Sequence, residues 1–404
     1  IKSLDAFFLI SLNFNLSVKI KFKDIKKKAS KDLIIYGIGQ GFNLLTPLLV
    51  TPYIINVCGI KNYGKVGVAM AFAFFVIVII DYGIDIIGVK EVSTFRENKE
   101  KLQNIFSVSY SGRFILLVGI CGLSSILFLL IPFFSSEKPL FFLIFFILIG
   151  QFINPNWFLQ GIDNFVKISV LNIVSKIIYL VLVFIFVQAP EDYIYVNLFW
   201  GIGMILPFSY GVMYCIKKYN FRFILASKNQ ISNYLKDGYK FCISQVFLSF
   251  KNYSPIILIS FLGGFNTAGF YRVIEQIIGV FRTYLQVTFR FFYPKICFLI
   301  YTNKKQGIDF WKKVNLANIS FILLLTLFVF VLSEPILQFF KIQLNDIDEV
   351  SYLLRFALIL PFLISISYSL EQLLFSLERK DFYIKITIPS VLLNFLMMYT
   401  FFCV

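Results

Sequence analysis

The feature that most constrains this chain is its succession of long apolar runs. Residues 66–80 carry no charge, and 141–149 are apolar on every side. A soluble core hides one stripe of a helix or one face of a strand, so runs like these require lipid, or other helices within lipid, as their surroundings. A membrane-spanning barrel would alternate apolar and polar positions, and these segments do not alternate. The fold class read from the sequence is therefore an all-α polytopic membrane protein. With 58% hydrophobic and 15% charged residues over 404 positions, the chain has room for about a dozen spans of roughly 20 residues.

Apolar periodicity and turn residues place eleven spans, at 33–57, 64–88, 112–134, 139–159, 166–188, 193–217, 238–263, 266–292, 314–333, 349–374 and 382–404. Sequence that is still apolar at Val404 leads to the expectation of a twelfth span beyond it. Residues 1–30 read as a basic cytoplasmic segment, because the apolar stretch 6–12 is too short for a cleavable signal and a lysine run follows it.

The net charge of +16 is unevenly placed. Of 38 Lys and Arg, 28 fall in the N-terminal segment, the even-numbered connections and the span ends that adjoin them, Arg113 among these, four in or beside the odd-numbered connections and six deeper inside spans. By the positive-inside rule the basic connections and the N-terminus are cytoplasmic. That distribution explains the basic pI without any nucleic acid.

There is no histidine, which removes the usual general base and the commonest metal ligand. The six cysteines lie scattered in apolar sequence without metal or redox spacing. Neither a catalytic centre nor a metal or other cofactor is expected.

A shift of 205 positions lays Gln40 on Gln245, Phe42 on Phe247, Ile54 on Ile259, Gly59 on Gly264 and Gly64 on Gly269. This faint repeat divides the chain into an N-lobe (31–218, six spans), a basic cytoplasmic linker (219–237) and a C-lobe (238–404, about five spans). Two such lobes in the same orientation are the parallel-repeat plan of many transporters.

A charge in mid-span costs about 2.5–3.5 kcal/mol on insertion scales, so it faces a partner or an aqueous cavity. In the eighth span Arg272, Glu275, Arg282, Gln286 and Arg290 share an arc of roughly 80°. At 1.5 Å per residue Glu275 lies about 14 Å along that span, near the midplane. Lys251 and Lys176 sit about 20 Å and 15 Å along theirs, with Asn172 and Tyr179 on the Lys176 face. The first span adds Gln40 and Asn43 at helical spacing, with Pro47 and Pro52. One reading is a cavity whose cations Lys176, Lys251, Arg272 and Arg282 hold an anionic substrate, with Gln40, Asn43, Asn172 and Gln286 lining it and Glu275 coupling transport to an ion gradient. The other is an Arg272–Glu275 pair that only holds the helix in place. Asp81 and Asp85, near a span end, read as solvated carboxylates.

Several motifs then carry a resemblance. The run from Gln40 through Gly41, Phe42, Asn43, Leu44, Leu45 and Thr46 to Pro47 is followed by Thr51-Pro52-Tyr53-Ile54, Gly59, Tyr63-Gly64 and Asp81-Tyr82-Gly83. Further on stand Asn154-Pro155-Asn156-Trp157-Phe158-Leu159-Gln160-Gly161, Gly269-Phe270-Tyr271 with Glu275, and Phe292-Tyr293-Pro294-Lys295. From Lys31 onward the chain resembles the O-antigen and polysaccharide repeat-unit flippases of the multidrug, oligosaccharidyl-lipid and polysaccharide exporter superfamily. Leu159, Asp163 and Gln276 depart from residues common in that family.

The resemblance implies two six-helix lobes around a central cavity. It further implies a bacterial inner-membrane protein that moves an undecaprenyl-pyrophosphate-linked oligosaccharide from the cytoplasmic to the periplasmic leaflet. Its implied partners are that lipid-linked substrate, membrane lipid, and polysaccharide polymerase and chain-length proteins. A multidrug or other lipid-precursor exporter of the same superfamily, or a membrane polysaccharide polymerase or ligase, is the alternative. The exporter of cationic drugs would want acidic groups deep in the cavity, and the polymerase a large outer loop.

Overall fold

In a computed structural model, residues 2–222, 224–377, Lys385 and Pro389 are described, with side chains outside 2–36, 38, 40, 240, 290 and 294. In chain order the helices are α1 (Lys2–Asp81), α2 (Ile87–Thr94), α3 (Lys99–Leu130), α4 (Pro132–Ser135), α5 (Lys138–Leu143), α6 (Phe145–Ile153), α7 (Asn156–Gly161) and α8 (Phe165–Phe186). A 3-10 turn at Pro190–Tyr195 leads to α9 (Val196–Tyr219), α10 (Lys228–Thr302), α11 (Lys304–Val331), α12 (Ser333–Phe339), α13 (Leu344–Ala357) and α14 (Ile359–Ser376). No strand occurs among the described residues.

Among the described residues, eight segments are long and apolar enough to cross a membrane. Two of them, Gly41–Asp81 and Phe241–Thr302, far exceed the roughly 30 Å of a hydrocarbon core. Each is broken by one glycine in the left-handed region, Gly59 (φ 81°) and Gly264 (φ 78°), a backbone geometry that side chains with a Cβ resist. The eight segments thus contain ten of the eleven predicted spans, and the chain is an all-α, multi-pass membrane protein. The eleventh, 382–404, lies outside the described residues apart from Lys385 and Pro389.

Several boundaries differ from the sequence reading. The third and ninth spans begin at Lys99 and Lys304 instead of 112 and 314, because each is a membrane helix that continues into a polar, amphipathic extension. Both starts are capped by asparagine: Asn98 Oδ1 accepts from the Lys101 amide at 3.0 Å, and Asn303 Oδ1 from the Gln306 amide at 3.1 Å. The second span ends at Asp81, not 88, where Tyr82 (φ 49°) and Gly83 (φ 79°) turn the chain. The fourth span is interrupted at Ile144 and ends before Pro155, which has no amide hydrogen to continue it.

Two compact units are formed, one from Ile1–Thr46, Ala73–Phe186 and Ile194–Val246, the other from Pro47–Phe72, Val187–Tyr193 and Phe247–Val404. In the first, α9 lies between α6 and α8. Gly201 meets Phe146 of α6 so closely that any Cβ would collide with it, and Gly203 would bring a Cβ to 2.8 Å from the Ser175 carbonyl of α8. Small residues let membrane helices approach until van der Waals contact replaces the missing hydrophobic drive. Trp157 and Phe158 of α7 are buried against Phe106 of α3, with ring centroids 6.2 and 5.3 Å away.

In the second unit, α11 and α14 are tied by a buried amide cluster. Asn315 Nδ2 donates to Gln372 Oε1 at 3.0 Å, and the Ser369 hydroxyl donates to Asn315 Oδ1 at 2.9 Å. Arg355 bonds Glu334 and the Ser333 hydroxyl, each at 2.9 Å, a local role for a charge at a helix end.

Candidate functional site

The 205-residue repeat has a physical counterpart in the second unit. Gly59 and Gly264, equivalent under the shift, break α1 and α10 with nearly the same φ. Five residues on, Gly64 and Gly269 meet each other: a Cβ on Gly64 would run into the Phe265 carbonyl, and one on Gly269 would stand 2.5 Å from the Ile60 carbonyl. The two copies of the repeat cross at these glycines, backbone on backbone.

Beyond the crossing the symmetry is broken by charge. The same shift pairs Gly67 with Arg272 and Met70 with Glu275. Gly67 leaves room for Arg272, whose Cγ would lie 3.3 Å from an added Cβ. Arg272 Nη1 reaches Glu275 Oε2 at 2.7 Å, and its Nη2 faces Met70 Sδ at 3.8 Å. Next to Glu275, Gln276 Oε1 accepts from the Thr51 hydroxyl at 2.9 Å and the Tyr63 hydroxyl at 3.2 Å. One helix of the crossing supplies hydroxyls and the other the charges and the amide.

Along α10, Arg282 and Gln286 are exposed, and the Gln286 amide donates to the Tyr368 hydroxyl at 3.3 Å. Tyr253 and Tyr271 lie within electrostatic reach of Arg272, Glu275 and Arg282 together. Lys251 is exposed two residues before Tyr253 on the same helix. Neither Lys251 nor Arg282 has an ion-pair partner among the described residues.

The remaining candidates belong to the first unit. Asn43 is half-buried on α1, and Gln40 lies outside the described side chains. On α8, Asn172 Oδ1 accepts from Asn156 Nδ2 at 3.0 Å. One turn further, Lys176 is 9% exposed, with its ammonium 3.3 Å from the centroid of the Trp200 ring. A desolvated cation–π contact is worth about 2 kcal/mol, less than the several kcal/mol needed to bury an ammonium. No carboxylate among the described residues makes up the difference.

Sequence reasoning missed one constellation and misread a residue in it. Asp81, expected to be solvated, is only 8% exposed, and Arg113, counted with a basic connection, is 1% exposed. Arg113 Nη2 donates to Asp81 Oδ1 at 2.7 Å and to the Gln151 carbonyl at 2.9 Å, while Gln151 Nε2 donates to Asp81 Oδ2 at 2.9 Å. The reason is the early start of α3, which carries Arg113 well inside the helix. The available signal was the Asn98 cap, with Leu102, Phe106 and Ser109 at helical spacing leading to Arg113.

The fold matches solved membrane transporters. One is an inward-facing multidrug resistance MATE family transporter of the MOP superfamily (TM-score 0.54, 18% identity, 81% of each chain). Another is a MOP superfamily transporter from Pyrococcus furiosus, reported to have a binding pocket of reverse polarity (TM-score 0.52, 13% identity, 84% of this chain and 80% of that one). The fold is therefore shared with these transporters. The profile of the polysaccharide biosynthesis protein family matches residues 29–296, and the chain belongs to that family. A relative from Escherichia coli (strain K12) is 24% identical over 378 residues, covering 93% of this chain and 90% of its own. One from Shigella dysenteriae is 23% identical over 254 residues, covering 61% and 63%. Both bear the curated name "Putative O-antigen transporter".

Proposed function

We propose that this protein flips an undecaprenyl-pyrophosphate-linked oligosaccharide repeat unit from the cytoplasmic to the periplasmic leaflet of a bacterial inner membrane. Its N-terminus and basic connections are cytoplasmic, and the lobes 31–218 and 238–404 alternate access to the cargo. The observation that carries this reading is the set of cations within apolar spans, Lys176, Lys251 and Arg282, that have no carboxylate partner among the described residues. A pyrophosphate supplies the missing charge, and charge-assisted hydrogen bonds to it are strongest where water is scarce. Asp81 and Glu275, which an exporter of cationic drugs would use as attractants, each already face an arginine.

The test is complementation of a strain lacking the protein. Each charge-assisted partner contributes about 1.5–3 kcal/mol, so Arg282→Ala and Lys251→Ala should each reduce transport tenfold or more at unchanged abundance. Full complementation by both would remove the cationic site. In the same assay Glu275→Gln should leave transport indifferent to an imposed pH gradient if Glu275 couples, and normal pH-dependent transport would exclude that role.

A further inference from the structure

We infer that Trp200 and Lys176 form a subsite for the junction between sugar and phosphate in the cargo. The phosphate draws the Lys176 ammonium from the indole face, and the face it leaves stacks on the first sugar ring. This rests on the lipid-linked cargo proposed above and names the residues of the first unit that would read its head group.

Three observations converge on Trp200. The residue is partly exposed, and its ring holds a cation on its face that has no carboxylate partner among the described residues. Such a cation is held by the ring quadrupole alone and is free to exchange for a stronger anionic partner. Two more aromatic rings from different helices meet the indole edge-on: Tyr179 of α8 at 4.9 Å between centroids and Phe74 of α1 at 6.4 Å. On the Lys176 face of α8, one turn away, Asn172 is partly exposed; its Oδ1 accepts from Asn156, and its Nδ2 makes no hydrogen bond among the described residues. That leaves a donor able to meet a hydroxyl.

Each part has one chemical preference. An ammonium takes phosphate, an indole face takes the C–H face of a pyranose, and side-chain amides take hydroxyls. A lysine buried only for structural reasons would need neither a partly exposed tryptophan against it nor an unpaired side-chain amide one turn away. Only a ligand carrying phosphate and sugar next to each other uses all three groups. Stacking reads the apolar face of the pyranose more than its hydroxyl pattern, so the subsite tolerates different first sugars.

The experiment is equilibrium binding to the purified full chain in lipid nanodiscs, with two probes: a short-chain prenyl pyrophosphate, and the same molecule bearing one glucosyl residue. The wild type should bind the glycosylated probe about tenfold more tightly, the ratio appropriate to one aromatic contact. Trp200→Leu should bring that ratio to about one, and Trp200→Tyr, which keeps a ring, should retain part of it should the leucine variant fail to fold. Lys176→Gln should weaken both probes about tenfold and leave their ratio unchanged. A tenfold ratio that persists in Trp200→Leu, or in its place an undiminished ratio in Trp200→Tyr, overturns the subsite while leaving the transport reading intact. Equal binding of the two probes to the wild type also overturns the subsite, and binding of neither overturns both.

Discussion

Asp81→Ala is expected to remove most of the folded protein from the membrane. The substitution strips Arg113 of its carboxylate in a place where the arginine is 1% exposed and cannot reach water. Breaking a buried pair by deleting one partner costs about 3–5 kcal/mol, because the surviving charge is left uncompensated. Gln151 cannot substitute: its carbonyl already accepts from Arg113, and its side-chain amide loses its own acceptor when Asp81 is gone. Detergent-solubilised protein followed by size-exclusion chromatography on heating should show a large fall in the temperature of aggregation. Replacing Asp81 and Arg113 together by leucine should recover part of that loss, since neither charge is then buried alone. An unchanged profile for the single variant would mean that the pair contributes nothing to the fold.

Gly64→Val should be the most damaging change at the crossing of the two repeats. Its Cβ has no position that avoids the Phe265 carbonyl and the Gly269 nitrogen, the latter at 2.9 Å, and backbone cannot rotate away as a side chain can. The helices must separate, and Thr51, Tyr63 and Gln276 would lose registry with one another. Overpacking of this kind costs about 1–3 kcal/mol and more when backbone is the obstacle. The control is Gly119→Ala in α3, where nothing lies within 4 Å of an added Cβ and helix propensity improves. Gly64→Val should lower protein abundance and transport together while Gly119→Ala leaves both unchanged. Equal behaviour of the two would refute the close crossing.

The fold was legible in the sequence wherever one local feature decides the outcome. Long apolar runs gave the membrane class, and Gly59 and Gly264 marked the reversals because so few residues adopt a positive φ. The repeat was also visible, though the notable match of Asn98 with Asn303, helix caps exchanged by the same 205-residue shift, emerges only once the helix starts are known. Helix starts outside the hydrocarbon leave a weaker trace, an amphipathic stripe instead of an apolar run, and so Arg113 was assigned to a connection. The candidate site was half legible. Arg272 and Glu275 share a turn of one helix, so their pairing follows from spacing alone. Trp200 comes to Lys176 from another helix, and Thr51 to Gln276 from across 225 positions, contacts that no periodicity reveals.

Leaflet-resolved accumulation of lipid-linked oligosaccharide in cells lacking the protein tests the proposed transport most directly. Membrane-impermeant labelling of the sugar in sealed right-side-out and inside-out vesicles reports which face it occupies. The lipid-linked unit should build up on the cytoplasmic face in the absence of the protein and return to the periplasmic face when the wild type, but not Arg282→Ala, is restored. An unchanged distribution between the leaflets with and without the protein would contradict it.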